Sequence, residues 1–548
     1  MRRPALGPAR AGGLLAVALA VSLAGAGAGL GTASAAGGSG ASALAGPARP
    51  RGSGSWTVYH HDPAGSGVAG PMGSITTAAR AWTSPALDGT IYGEPLVFSG
   101  RVYVATENDT VYALSAATGA VDWSAHLGTP VPAGDLPCGN ISPTVGITGT
   151  PVIDPARREI FVVAAELVGG KQAHVLVGLS TATGRREMTR NVDPPGANTA
   201  ALLQRTGLTL DAGRVVFGFG GNFGDCSSYR GRLVAVSEAG GTPAYFTVDA
   251  AADESQGAIW MGGAAPAVDQ DGNLWVSVGN GSVTSPGHAY DNSDSVLKVS
   301  PSLRLAGFFA PSSWAADNAS DLDMSTEPAL LPDGQVVAAG KARIAYLLSA
   351  ARPGGIGGQQ AALPSVCGDD VAGGAATVGQ TVYLPCESGI VAVRASKAPA
   401  ALRLLWSSGT GGGPPIVAAG LVWTIGQNGT LYGLDPGTGA LRQHALVGVP
   451  ANHFPTPSAG HRLVLAPAAR QVVAFRAARA GRTPAPGGAT APGATAPGGT
   501  PGDRPGSQPD AAGHGLSAGA VAGIVAAAVV VLGGLGWLLW RRRISGSP

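Results

Sequence analysis

The chain has 548 residues, a formal net charge of +2 and only 12% charged residues. No run or stripe of Lys and Arg crosses its middle, which argues against a nucleic-acid partner. Much of the Gly, Pro and Ala excess sits in the two ends, so the central part is read apart from them.

Residues 1–35 read as a secretory signal. Arg2 and Arg3 give the positive start, Gly12 to Leu30 the apolar run, and Ala33-Ser34-Ala35 a small-residue cleavage site. Residues 36–55 form a Gly/Ser/Ala tail, expected to be disordered. The folded part is expected over 56–477, starting at Trp56-Thr-Val-Tyr-His-His-Asp62. Neighbouring residues on a strand point to opposite faces, so His60 and His61 are not expected to share a metal. The segment is expected to be a strand lying against the fold.

One stretch organises the rest of the chain. Asn108-Asp-Thr-Val-Tyr-Ala-Leu-Ser-Ala-Ala-Thr-Gly-Ala-Val-Asp-Trp123 returns as Asn428-Gly-Thr-Leu-Tyr-Gly-Leu-Asp-Pro-Gly-Thr-Gly-Ala-Leu-Arg-Gln443. Each reads as a turn, a strand with a Tyr, a Thr-Gly hairpin and a second strand. A second phrase opens each unit: Pro, two or three apolar residues, a Gly turn and an apolar strand. It starts at Pro95, Pro151, Pro266, Pro328, Pro415 and Pro457, with weaker versions near Gly207 and Gly373. Anchor strands are expected at Val111–Leu114, Val175–Leu179, Leu233–Val236, Val296–Val299, Ala345–Leu348, Ile390–Val393, Leu431–Leu434 and Val472–Phe475. Eight short-stranded units predict an all-β, eight-bladed β-propeller. The last unit has no trailing Trp strand, while Arg80-Ala-Trp82-Thr-Ser84 has no unit before it. Placing the Trp82 segment on the last blade closes the ring and removes two exposed edges.

Beyond the repeats, residues 478–515 are rich in Pro, Gly and Ala without apolar periodicity, a disordered stalk. Residues 516–540 are expected to be a transmembrane helix, with Val521 to Trp540 as its apolar run; about 20 such residues cross a bilayer. Trp537 and Trp540 suit the interface, and Arg541-Arg542-Arg543 opens a short cytoplasmic tail over 541–548. The two ends predict a single-pass protein of the cell membrane with its propeller outside.

Four cysteines in an exported chain suggest two disulfides. Of three possible pairings, Cys138–Cys226 with Cys367–Cys386 is favoured, because the second pair brackets one repeat and its members could face each other across neighbouring strands.

The anchor phrase, with its Tyr-Ala-Leu, Thr-Gly and Trp, resembles the pyrroloquinoline-quinone (PQQ) repeat. That family holds eight-bladed quinoprotein alcohol dehydrogenases and non-enzymatic propellers such as the outer-membrane assembly scaffold. Gly257-Ala-Ile-Trp260 and Leu274-Trp-Val-Ser-Val-Gly-Asn280 look like the segment that carries a calcium-ligand Asn in the dehydrogenases. Trp314-Ala-Ala-Asp317-Asn-Ala-Ser-Asp321-Leu-Asp323 looks like the segment of the catalytic Asp. Gly221-Asn222-Phe-Gly-Asp225-Cys226 looks like the segment of a calcium-ligand Glu with, in some members, adjacent cysteines. The resemblance thus implies Asp321 or Asp323 as a base, Asn222 and Asn280 on Ca²⁺, and Trp260 and Trp314 beside PQQ. The departures are plain. Asn222 or Asp225 stands where Glu would, Ser227 follows Cys226, and no Cys-x-x-Cys-His offers a covalent haem. Polar residues at these places also satisfy blade-top turns for backbone reasons alone.

These readings give two expectations. The first is a membrane-anchored binding or scaffold module with no cofactor, whose ligand is an extracellular protein or a glycan. The second is a PQQ- and Ca²⁺-dependent dehydrogenase of alcohols or sugars.

Overall fold

All eight anchor phrases become the third strand of a blade of four antiparallel strands, to which the third blade adds Leu202–Leu203 and the fourth a parallel edge at Gly355–Ile356. The computed structural model describes residues 54–75 and 78–477. The first sheet pairs Leu96–Phe98, Arg101–Ala105, Thr110–Ser115 and Val121–His126 in chain order. Six more blades follow, opening at Val152–Asp154, Thr209–Asp211, Ala267–Val268, Ala329–Leu330, Ala376–Val378 and Ile416–Ala418. The eighth takes Ser458–Gly460, Leu463–Ala468 and Gln471–Arg476 from the end of the chain and Arg80–Thr83 from its beginning. Trp82 faces Ala474 and Thr83 faces Val473 in that pairing. The fold is an all-β, eight-bladed propeller closed by its front segment, as the unmatched Trp82 phrase predicted.

The burial pattern explains the alternation in sequence. Inner and middle strands are apolar on both faces because each blade is covered by two neighbours; Val111, Ala113 and Leu114 are all fully buried. Outer strands such as Val121–His126 and Leu441–Leu446 are mostly open. One apolar cluster runs without a break from Ile416 and Trp423 through Val464 and Phe475 to Val104 and Val162. The closing contact is therefore as continuous as the others.

The Thr-Gly turn and the Trp of the repeat meet between blades. The Trp82 indole N–H donates to the Ala116 carbonyl at 3.0 Å, that of Trp123 to Thr181 at 3.1 Å, and that of Trp406 to Pro436 at 3.1 Å. Each indole lies on the glycine of the next blade's turn: Gly119, Gly184 and Gly439. These glycines have φ of 75°, 71° and 71° and leave no room for a Cβ. The phrase that repeats in sequence is thus one docking contact, made each time by two successive blades.

The segment carrying His60 and His61 differs from expectation. It is no strand: both residues have positive φ, 54° and 78°. Residues 54–69 instead make one turn about the axis and touch the blades in order. Gly54 accepts from His461 of the eighth blade at 3.1 Å, Trp56 exchanges bonds with Val97 of the first, and Thr57 accepts from Ile153 of the second at 2.8 Å. Tyr59 lies against Gly207, Pro63 accepts from Val268 at 2.7 Å, and Gly65 lies against Glu327. Ser66 accepts from Thr377 at 2.8 Å, and Ala69 donates to Val417 at 2.9 Å. The inner strands had backbone groups free on the axis side, and this belt takes them up.

Among the described residues no helix is long and apolar enough to cross a membrane; the one α-helix, Trp314–Ala319, has six residues. The expected signal over 1–35, the stalk over 478–515, the span over 516–540 and the tail over 541–548 lie outside the described residues, as does the expected tail over 36–55 up to residue 53.

Candidate functional site at the propeller mouth

Because strands alternate in direction, the loops after the second strands and the loops entering the first strands share one face. The polar segments singled out in the sequence all belong to these loops. Asn222 follows Arg214–Gly221, and Asn280 follows Leu274–Val278. Asp321 and Asp323 lie just before Ala329–Leu330.

Asp323 is buried at 3% exposure, and both its oxygens are engaged. Oδ1 accepts the Asn280 backbone N–H at 2.7 Å, and Oδ2 lies 2.7 Å from Lys341 Nζ. The same ammonium donates to Asp321 Oδ1 at 2.8 Å, although the Asp321 side chain is 67% exposed. Burial works to lower the Lys341 pKa, and the charge of Asp323 together with hydrogen bonds to Asp321 and Asp323 overrides it, so the ammonium is held well above its ordinary value. Lys341 also lies 5.5 Å over the Trp260 ring. Glycines make this approach possible. A Cβ at Gly279 would meet Asp323 Oδ1 at 2.6 Å and the Trp260 indole nitrogen at 3.2 Å, and one at Gly340 would strike the Asp323 carbonyl.

Trp260 continues the mouth toward the axis. Its ring lies 5.7 Å from that of Phe454, and the Arg205 guanidinium lies 5.8 Å from Phe454 and 5.7 Å from Tyr92. Below Arg205 the belt closes the axis. Tyr59 stacks on His60 at 4.4 Å, and His60 donates its backbone N–H to Glu94 Oε2 at 2.9 Å. Burial lowers the His60 pKa to about 3 and raises those of Glu94 and Glu327 well above the carboxylate range.

Of the residues the sequence suggested, Asn280, Asp321, Asp323 and Trp260 converge. Asn222 lies to one side: its amide donates to the Ala200 carbonyl at 2.8 Å, in a small recess lined by Cys138, Cys226, Asp225 and Tyr229. Asp225 connects that recess with the mouth. Its carboxyl is raised by desolvation in its loop and further by Asp323 and Asp321, while Tyr229 and Lys341 oppose the rise. Trp314 packs at 4% exposure in a small cluster of its own, 5.0 Å from the Tyr290 ring. Asp317 accepts from Ser313 Oγ at 2.6 Å within the short helix. The disulfides are Cys138–Cys226 and Cys367–Cys386, and both tie loops of the mouth face.

Lys341, Arg205, Tyr92 and Phe454 were not foreseen. For Lys341 a signal existed. Glu107, Asn280, Lys341 and Gln427 each stand two residues past the end of a second strand, so aligning repeats by that register marks all four. Arg205, Tyr92 and Phe454 sit in inter-blade loops of unlike sequence, and only the ring brings them together.

A calcium ion takes six to eight oxygen ligands. The residues present do not fit that demand as arranged. Asp323 is closed by an ammonium and an N–H, and Asn222 is turned toward Ala200. Among the described residues no three His, Cys, Asp or Glu side chains group as a metal site. The Asn280 side-chain amide makes no hydrogen bond among the described residues.

Fold and mouth together define an eight-bladed propeller whose loops gather polar and aromatic side chains on one face. Residues 56–293 match the family model PQQ_2, described as outer membrane protein assembly factor BamB. Among solved structures, the quinohemoprotein alcohol dehydrogenase of Comamonas testosteroni is similar with a TM-score of 0.59 and 14% identity, over 79% of this chain and 82% of that one. The quinohemoprotein alcohol dehydrogenase ADHIIG of Pseudomonas putida HK5 gives 0.59 and 15%, over 80% and 82%. A europium-containing methanol dehydrogenase gives 0.55 and 14%, over 76% and 90%. At these identities the likeness is one of fold. No curated protein matches the chain by sequence.

Proposed function

We propose that the chain is a cell-surface binding or scaffold module, anchored by one C-terminal span, that takes an extracellular protein or a glycan at its propeller mouth and catalyses no reaction. The observation that carries this reading is the closed pair of Asp323 and Lys341. A general base must reach the substrate proton, and here Asp323 is only 3% exposed, with one oxygen facing an ammonium at 2.7 Å and the other holding the Asn280 N–H. The mouth that remains is aromatic and cationic, with Trp260, Phe454, Tyr92 and Arg205 at its centre, a composition suited to recognition.

A second reading, a PQQ- and Ca²⁺-dependent dehydrogenase of alcohols or sugars, has one observation in its favour. Asn280, Asp323 and Trp260, named by the family resemblance, share one mouth. That reading requires Lys341 to give up Asp323. Titration of the purified chain with PQQ and Ca²⁺, followed by absorbance and by dye reduction with alcohols and sugars, separates the two. No saturable binding and no dye reduction is the result expected; saturable binding with turnover would overturn the module.

A further inference from the structure

Resting on the mouth as a binding site, we propose that its ligand is an acidic sugar residue of the uronate type, whose carboxylate is received by Arg205. Arg205 enters on the loop before Thr209–Asp211 and is buried at 9% exposure. Its guanidinium makes no hydrogen bond or ion pair among the described residues. Burying a guanidinium without a carboxylate is costly, so chains pair it or present it to a ligand. The nearest acid of influence, Glu107, makes no ion pair with Arg205, and its Oε1 is left without a partner among the described residues. Its Oε2 takes the Gly146 N–H at 2.7 Å and the Thr148 hydroxyl at 3.1 Å. Burial pulls the Arg205 pKa down, which fits a cation short of counter-charge.

The guanidinium carbon lies over the rings of Tyr92 and Phe454, at 5.7 and 5.8 Å. A guanidinium held by rings and not by acceptors keeps its N–H groups for a carboxylate, which it can meet with two parallel hydrogen bonds. Gly263 borders the guanidinium and a side chain there would strike it, so the loop is shaped around it. The neighbouring rings of Phe454 and Trp260, 5.7 Å apart, offer apolar faces to the C–H face of a sugar ring. The charge on the ligand follows from the surroundings. Lys341 is neutralised by Asp321 and Asp323, and Asp225, Asp370 and Glu387 lie within reach of its field. One unpaired cation inside an acidic rim selects a single negative charge over a phosphate dianion.

Calorimetry of the purified full chain tests this, with a glucuronate-containing tetrasaccharide and the same tetrasaccharide reduced at its carboxyls to the neutral sugar. The acidic form is expected to bind saturably and at least tenfold more tightly than the neutral one, and Arg205→Gln is expected to remove that difference. Equal binding of both sugars, or an unchanged preference in a folded Arg205→Gln chain, would overturn the uronate assignment and leave the module standing. Binding of neither sugar would also overturn it, and capture of a protein partner at the same face would then still support the module. Should Arg205→Gln not fold, the acidic and neutral sugars compared on the unaltered chain decide alone.

Discussion

Gly184 lies directly under the indole of Trp123: a Cβ added there would meet the ring at 2.6 Å. The glycine belongs to the Thr-Gly turn of the second blade and the tryptophan to the outer strand of the first. With φ at 71°, Gly184 is also in the left-handed region. Gly184→Ala therefore combines backbone strain with overpacking and is expected to destabilise the fold by about 3 kcal/mol. Urea denaturation measures it. The turn glycine Gly213, with nothing within 4 Å of its Cβ, is the control and should cost only the backbone share.

Trp82→Ala tests the closure. Trp82 is 7% exposed and its indole holds the Ala116 carbonyl of the first blade while its strand edges the eighth. Truncation of a buried Trp costs about 3–5 kcal/mol. Hydrogen exchange should show loosening in Gln471–Arg476 and in Thr110–Ser115 together; loosening confined to residues near 82 would speak against a shared closing contact.

Lys341→Met removes the counter-ion of a buried carboxylate. Leaving Asp323 unpaired is expected to cost roughly 2–4 kcal/mol, less than for a wholly dry pair because Lys341 is partly open. Asp323→Asn is milder, since Lys341 keeps Asp321. Thermal melts of the two variants should rank in that order.

Stability should fall as pH rises from about 5 to about 9. Burial raises the carboxyls of Asp109 and Asp249 to about 9, with Glu166 and Glu107 adding to the first and Asp291 to the second. The folded chain keeps these protons while the unfolded chain releases them near the ordinary value of about 4. The contribution is thus complete below about pH 4 and is lost as pH climbs through the folded value. Asp88 and Asp269 have lowered pKa values and act in the opposite sense in the acid range, and His60, lowered to about 3, opposes the fall below about pH 6.5. Asp109→Asn should flatten the slope of Tm against pH between 5 and 9; an unchanged slope would count against Asp109 as its source.

Reductant should open Cys138–Cys226 before Cys367–Cys386. Cys226 is exposed, whereas Cys367 and Cys386 are 5% and 4% exposed within an apolar cluster, and thiol exchange needs access. Mass spectrometry after timed alkylation gives the order.

The blades were legible because a propeller repeats one local unit, and the same turn and strand residues recur wherever that unit does. The Trp82 segment could be placed for the same reason: an incomplete unit at each end implies its complement. His60 and His61 misled because their neighbours Val58 and Tyr59 are strand-like in composition, yet the belt bends under contacts supplied by all eight blades. Lys341 was overlooked although its register matched Asn280, because a family pattern drew attention to carboxylates and amides.

Local propensity repeated at a fixed spacing made the strand unit and the closing of the ring readable in sequence, and it favoured one of three cysteine pairings. Which side chains meet at the axis was set by the assembled ring. Tyr92, Arg205, Trp260 and Phe454 come from four inter-blade loops of unlike sequence and Lys341 from a hairpin, and their contacts exist only once eight blades are arranged about a common centre.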